Sequence, residues 1–197
     1  MSPGVSPDAG SKSQRLFFAL WPDPASRQRI AAVQTADRIR DGRPIAAANL
    51  HLTLAFLGNI RAEQIASIQR AAAQVVFEPF SLTLDRLGWW RRAGILWLGP
   101  SAWPAQIDAL VRDLWLGMEA VGLRPQRRPR RRTERHPFKP HVTLARKCSQ
   151  ARPATIRPPR LPGTCRSVRR WFRDRPSGRR FARPFFGAVR RRNPGRL

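Results

Sequence analysis

Apolar and polar positions along the chain fall into short blocks whose periods separate strands from helices. Leu16-Phe17-Phe18-Ala19-Leu20-Trp21 is an unbroken apolar run ended by Pro22, which predicts a buried strand. Asp23 then offers a side-chain cap and Pro24 a preset first turn. The helix they start runs through Ile30, Ala31, Val33 and Ile39 and stops near Asp41-Gly42. Leu50 to Leu57 predicts a second strand, closed by Gly58-Asn59. Ala62 to Val76 carries Ile65, Ile68, Ala72 and Val75 at three-to-four spacing, the stripe of an amphipathic helix. Phe80 to Leu87 alternates Phe80, Leu82 and Leu84 with Ser81, Thr83 and Asp85, a half-buried strand. Ile95 to Leu98 is its hairpin partner across Gly88 to Gly94. Trp103 to Val121 is a third helix, striped by Ile107, Leu110, Val111, Leu114 and Met118, and Pro140 to Arg146 is a further strand. Strands and helices interleaved in this order predict an α+β fold with largely antiparallel sheets and two similar halves.

Charge divides the chain unevenly. Of the net +26, residues 1–122 carry +3, residues 123–147 carry +9 and residues 148–197 carry +14. An evenly basic nucleic-acid-binding domain does not look like this. Residues 1–14 read as a loose leader without the layout of a secretory signal, and 15–147 as the folded domain. Within that domain, 126–135 is an arginine block containing Pro129, expected to be an exposed loop. The stretch 148–197 is rich in Arg, Pro and Gly with no sustained period, and reads as a disordered basic tail or the product of a shifted reading frame. No apolar run approaches the roughly 18 residues that cross a bilayer. Two cysteines, Cys148 and Cys165, make neither a disulfide framework nor a four-ligand zinc site, and Cys148 reads as inert. The expectation is a reduced, cytoplasmic monomer with no metal, no cofactor and no membrane partner.

One block occurs twice. His51-Leu52-Thr53-Leu54-Ala55-Phe56 returns as His141-Val142-Thr143-Leu144-Ala145-Arg146, and the two copies are headed by two of the chain's three histidines. Residues i and i+2 of a strand share a face, so His51 and Thr53 project together over Leu52 and Leu54. His141 and Thr143 do the same over Val142 and Leu144. If the halves meet about a pseudo-twofold axis, both pairs face one cleft. Such a cleft suits in-line displacement at phosphorus, with one imidazole taking a proton and the other giving one near neutral pH. Thr53 and Thr143 can bond the non-bridging oxygens, and Arg146 can neutralise their charge without a metal. Trp89, Trp90 and Trp97 cluster about the hairpin and read as core, with base stacking the alternative. Phe56 stands evenly between lining the cleft and packing, and Arg91 and Arg92 could steer phosphates from the hairpin tip.

These residues resemble the 2H phosphoesterase superfamily, and within it the RNA 2′,3′-cyclic phosphodiesterases also called 2′-5′ RNA ligases. The likeness rests on the paired His-x-Thr-x motifs, His51–Leu54 and His141–Leu144. Their settings add to it: Leu16-Phe17-Phe18-Ala19-Leu20, Leu54-Ala55-Phe56-Leu57-Gly58 and Pro137-Phe138-Lys139-Pro140. The resemblance implies a bilobal fold of two pseudo-symmetric antiparallel-sheet lobes flanked by helices. It further implies metal-independent hydrolysis of RNA 2′,3′-cyclic phosphate ends to 2′-phosphomonoesters, with reverse 2′-5′ ligation in some members. By the same likeness His51 donates a proton to the leaving 3′ oxygen and His141 activates water. Two other readings stand beside this one: a non-enzymatic basic RNA- or DNA-binding protein, and a 2H enzyme acting on a small cyclic nucleotide. Members of the family continue past the second motif with strands that complete the sheet, and no such pattern is legible after Lys147.

Overall fold

The computed structural model describes residues 13–35, 42–124, 138–149, 161–165 and 168–173. The leader to residue 12, the arginine block at 126–135 and most of the stretch after 149 lie outside the described residues. The elements in chain order are β1 (Ser13–Leu20), α1 (Pro24–Thr35), β2 (Arg43–Pro44), β3 (Leu52–Arg61), α2 (Ile65–Ala73), β4 (Phe80–Leu84) and β5 (Arg86–Trp90). They continue with β6 (Ile95–Gly99), α3 (Ala105–Glu119), β7 (Val142–Arg146), β8 (Leu161–Cys165) and β9 (Val168–Arg173).

The α+β class stands, and the two lobes are the two halves of one seven-stranded antiparallel sheet. Its order is β5-β6-β7-β3-β1-β9, with β2 also paired to β7, while β4 and β8 form a separate ribbon. The two halves mirror each other about the junction of β7 and β3, and a helix follows β1 just as one follows β6. β3 and β7 share one ladder pair, Leu52 opposite Val142, and β2 and the Ile45 N–H extend the join along β7. Gln34 of α1 adds a tie, its side-chain amide donating to the carbonyls of Ile45 at 2.8 Å and Leu144 at 2.7 Å.

The core lies behind the sheet. Leu16, Phe18, Leu20, Leu52, Leu54, Leu96, Leu98, Val142 and Leu144 pack in one cluster with Ile30 of α1, Ile68 of α2 and Ile107, Leu110, Leu114 and Met118 of α3. Burying such side chains contributes about 1.5–3 kcal/mol each and drives the helices onto one face. Asp23 caps α1 as expected. Its carboxylate accepts the Ser26 N–H at 2.9 Å and the Ser26 hydroxyl at 2.7 Å, which hold it below the ordinary aspartate pKa.

Several boundaries differ from the pattern reading. β1 begins at Ser13, inside the expected leader. β3 does not stop at Gly58-Asn59; Gly58, at φ 83°, lies at a register shift opposite Leu16, and the strand continues to Arg61. The single strand expected over Phe80 to Leu87 is broken at Asp85, whose carboxylate accepts the N–H and hydroxyl of Ser101 at 2.6 and 2.7 Å. The second helix opens with a 3-10 turn over Ala62–Gln64.

The expected tail contains structure too. Cys148 is buried against the core, β8 pairs with β4, and β9 pairs with β1 from Arg15↔Arg173 to Leu20↔Val168. These two strands lie within the stretch read as a disordered or frame-shifted tail. Backbone pairing satisfies the open edge of β1, a demand that side-chain periodicity does not register. No described helix is long and apolar enough to cross a membrane.

Candidate functional site

The two histidine motifs meet at the junction of the halves. Because β3 and β7 run antiparallel with Leu52 opposite Val142, the flanking residues alternate to the other face of the sheet. His51, Thr53, His141 and Thr143 therefore share that face, while Leu52, Leu54, Val142 and Leu144 are buried behind it. Extending the register sets each histidine across from the threonine of the other motif.

Both strands then make the same irregularity. β1 pairs Ala19 with Thr53 and Phe18 with Ala55, skipping Leu54. β6 pairs Trp97 with Thr143 and Leu96 with Ala145, skipping Leu144. The extra residue shifts the alternation by one, so Leu54-Ala55 and Leu144-Ala145 are consecutive buried pairs. Phe56 and Arg146 are consequently exposed at equivalent positions one step beyond. Without the bulges each would point into the core.

The imidazoles are held alike. His51 Nδ1 lies 2.7 Å from the carbonyl oxygen of Asn49, and His141 Nδ1 lies 2.8 Å from that of Lys139. A carbonyl only accepts, so these bonds assign the proton to Nδ1 and leave Nε2 as the exchangeable nitrogen of each ring. Burial pushes both pKa values below the ordinary 6.5, and the carbonyl bonds partly oppose it. The positive charge of the Arg146 guanidinium lowers both further. His51 is also depressed by His141, and His141 by Lys139. Two imidazoles that feel one another resist carrying two protons together, the condition a proton donor and acceptor need.

Aromatic rings seat each histidine, and the pattern reading misses most of them. Phe17 and Trp21 stack on His51 at 4.9 and 4.7 Å, with interplanar angles of 23° and 18°. Trp90 and Trp97 approach His141 edgewise at 4.5 and 6.5 Å. The pattern reading assigns Trp90 and Trp97 to the core; Trp97 is buried, yet both belong to the histidine's surroundings. Gly88, opposite Trp97 in the β5–β6 ladder, makes this possible, since a Cβ there would collide with Cζ2 and Cε2 of the indole. Phe56, open to two readings in the sequence, lies at the surface with the Arg15 guanidinium 4.6 Å over its ring. Among the described residues, no group of three or more His, Cys, Asp or Glu comes together to hold a metal ion.

Known proteins share this fold. Residues 20–97, which include the first motif, match the family described as LigT like phosphoesterase. The chain is 39% identical over 150 residues to the RNA 2′,3′-cyclic phosphodiesterase of Escherichia coli (strain K12), covering 76% of this chain and 80% of that protein. Its fold is similar to the crystal structure of E. coli LigT complexed with 3′-AMP, with a TM-score of 0.75 at 33% identity over 89% of this chain and 97% of that one. The crystal structure of TT0787 of Thermus thermophilus is similar at a TM-score of 0.60 and 25% identity, covering 80% and 87%. The repeated His-x-Thr face, the fold and these relatives agree, and the chain belongs to the LigT-like phosphoesterases, a family of hydrolases.

Proposed function

We propose that this cleft hydrolyses the 2′,3′-cyclic phosphate at the end of an RNA to a 2′-phosphomonoester by paired acid–base catalysis. The observation that carries the reading is the matched clamp on the histidines. Each has Nδ1 tied to the carbonyl two residues back, so both present Nε2 to one face of the sheet. In the role order that the family likeness implies, water attacks phosphorus as Nε2 of His141 removes its proton. The bond from phosphorus to O3′ breaks, and Nε2 of His51 protonates the departing oxygen. With an RNA 5′-hydroxyl attacking in place of water, the same displacement leaves a 2′-5′ phosphodiester, which is the ligation. Thr53 and Thr143 bond the non-bridging oxygens, and Arg146 offsets the charge that grows on them. With those groups in place the reaction needs no metal. Both histidines belong to one chain, so a monomer suffices.

The substrate class comes from the relative in E. coli, whose name specifies an RNA 2′,3′-cyclic phosphodiesterase. The test is to incubate the purified protein, with EDTA present, on an RNA ending in a 2′,3′-cyclic phosphate. A new 2′-phosphate end is expected. Formation of a 3′-phosphate, loss of turnover in EDTA, or undiminished turnover in His51→Ala or His141→Ala would each overturn the mechanism. A protein that only binds RNA would show no turnover, and its affinity and salt dependence would survive both substitutions.

A further inference from the structure

The two sides of the cleft are furnished differently. Beside His51 the rings of Phe17 and Trp21 lie nearly parallel to the imidazole. Beside His141, Trp90 and Trp97 lean on each other at 5.6 Å, and the Lys139 ammonium sits 4.7 Å over the Trp97 ring. Trp97 is 3% exposed, whereas Trp90 keeps part of its surface open. Arg91 and Arg92 follow it, exposed at the hairpin tip.

Beyond its stand on the Trp97 ring, the Lys139 ammonium has no carboxylate partner among the described residues. Lys139 is exposed at the surface. Its ammonium rests on the Trp97 ring, and so belongs to the His141 side of the cleft. The partly open Trp90 indole and the Lys139 ammonium both rest on the buried Trp97 ring, and an aromatic face grouped with a cation is the combination that holds single-stranded nucleic acid, one for a base and the other for a phosphate.

Resting on the proposed function, we infer that Trp90, Trp97 and Lys139 form a subsite for the nucleotide adjoining the cyclic end. Lys139 takes that nucleotide's phosphodiester, and Trp90 gives its base a stacking surface. The enzyme would thereby favour RNA chains over free cyclic mononucleotides, which have no such phosphodiester.

Binding of a labelled oligoribonucleotide ending in a 2′-phosphate, and of adenosine 2′-phosphate, tests this without turnover. Lys139→Gln is expected to weaken the oligonucleotide roughly tenfold, to lower its salt slope by about 1, and to change the mononucleotide far less. Lys139→Arg keeps the charge and should retain most of the oligonucleotide affinity. Equal losses for both ligands, or none for the oligonucleotide, would overturn the subsite. Trp90→Leu gives a second reading, since a stacking surface lost from the subsite also lowers oligonucleotide affinity selectively. If both ligands behave as expected while cyclic ends are not hydrolysed, the subsite stands and the proposed reaction fails.

Discussion

The half of the sheet built on β1 and β3 and the half built on β6 and β7 use one backbone plan with different side chains. Each has a strand beginning after a histidine, a bulge after the threonine, and the same run of buried and exposed positions over its first five residues. Where the first half has Ala19 beside its threonine, the second has Trp97; where the first has Phe56 past the bulge, the second has Arg146. On the proposed mechanism, the shared plan fixes where the two proton-transfer groups stand. The unshared side chains give each its own surroundings. A symmetric frame can thus hold an asymmetric reaction, because donor and acceptor need the same placement but different environments.

Substitutions on either side can test that division. The largest effect is expected from His51→Ala and His141→Ala, each lowering kcat on a cyclic-ended RNA by about 10²–10⁴. If one variant keeps wild-type turnover, the equivalence of the two motifs is broken. Next, Gly88→Ala drives a methyl into the Trp97 ring and should cost about 1–3 kcal/mol of stability, read from denaturant midpoints. Its activity loss should appear as an altered His141 with His51 unaffected, which histidine NMR titration would separate.

A smaller effect concerns pH. The acceptor must be neutral and the donor charged, and both histidines are held below 6.5 in the free enzyme. The profile of kcat/KM should therefore peak on the acid side of 6.5, falling below the acceptor's pKa and above the donor's. Arg146→Gln removes a cation that opposes protonation of both rings, so both limbs should move to higher pH. A limb that stays put would mean that Arg146 does not reach that histidine. The smallest effect separates the helices: α1 is capped by Asp23, while α3 starts after Pro104 with no side-chain cap. Asp23→Ala should cost about 1 kcal/mol in thermal or denaturant unfolding, with little change in kcat.

Much of this is legible in the residues alone. The repeat at His51 and His141 picks out the two strands that meet at the candidate site, and alternation correctly assigns Leu52, Leu54, Val142 and Leu144 to the core. The helix stripes from Ile68 to Ala72 and from Ile107 to Met118 also pack as their spacing requires. What escapes is produced by irregularity or by distant pairing. Phe17 hides in an apolar run that looks wholly buried, although its ring stacks on His51. Trp90 and Trp97 look like core because composition cannot distinguish an indole packed on leucine from one packed on imidazole. β8 and β9 leave no trace, since their partners β4 and β1 lie far away in the chain and supply the reason for the pairing.

The strand that carries His141 is bonded to the first half of the chain along most of its length. Val142 lies opposite Leu52, the Leu144 carbonyl accepts from the Ile45 N–H and the Gln34 amide, and Ala145 and Arg146 lie opposite Pro44 and Arg43. Four of its five residues are thus tied to segments that flank His51 in sequence. The spacing of the two imidazoles is therefore a property of the backbone, and a bulky ligand at the rim has to be met by rotation of side chains such as Phe56 rather than by parting of the two halves.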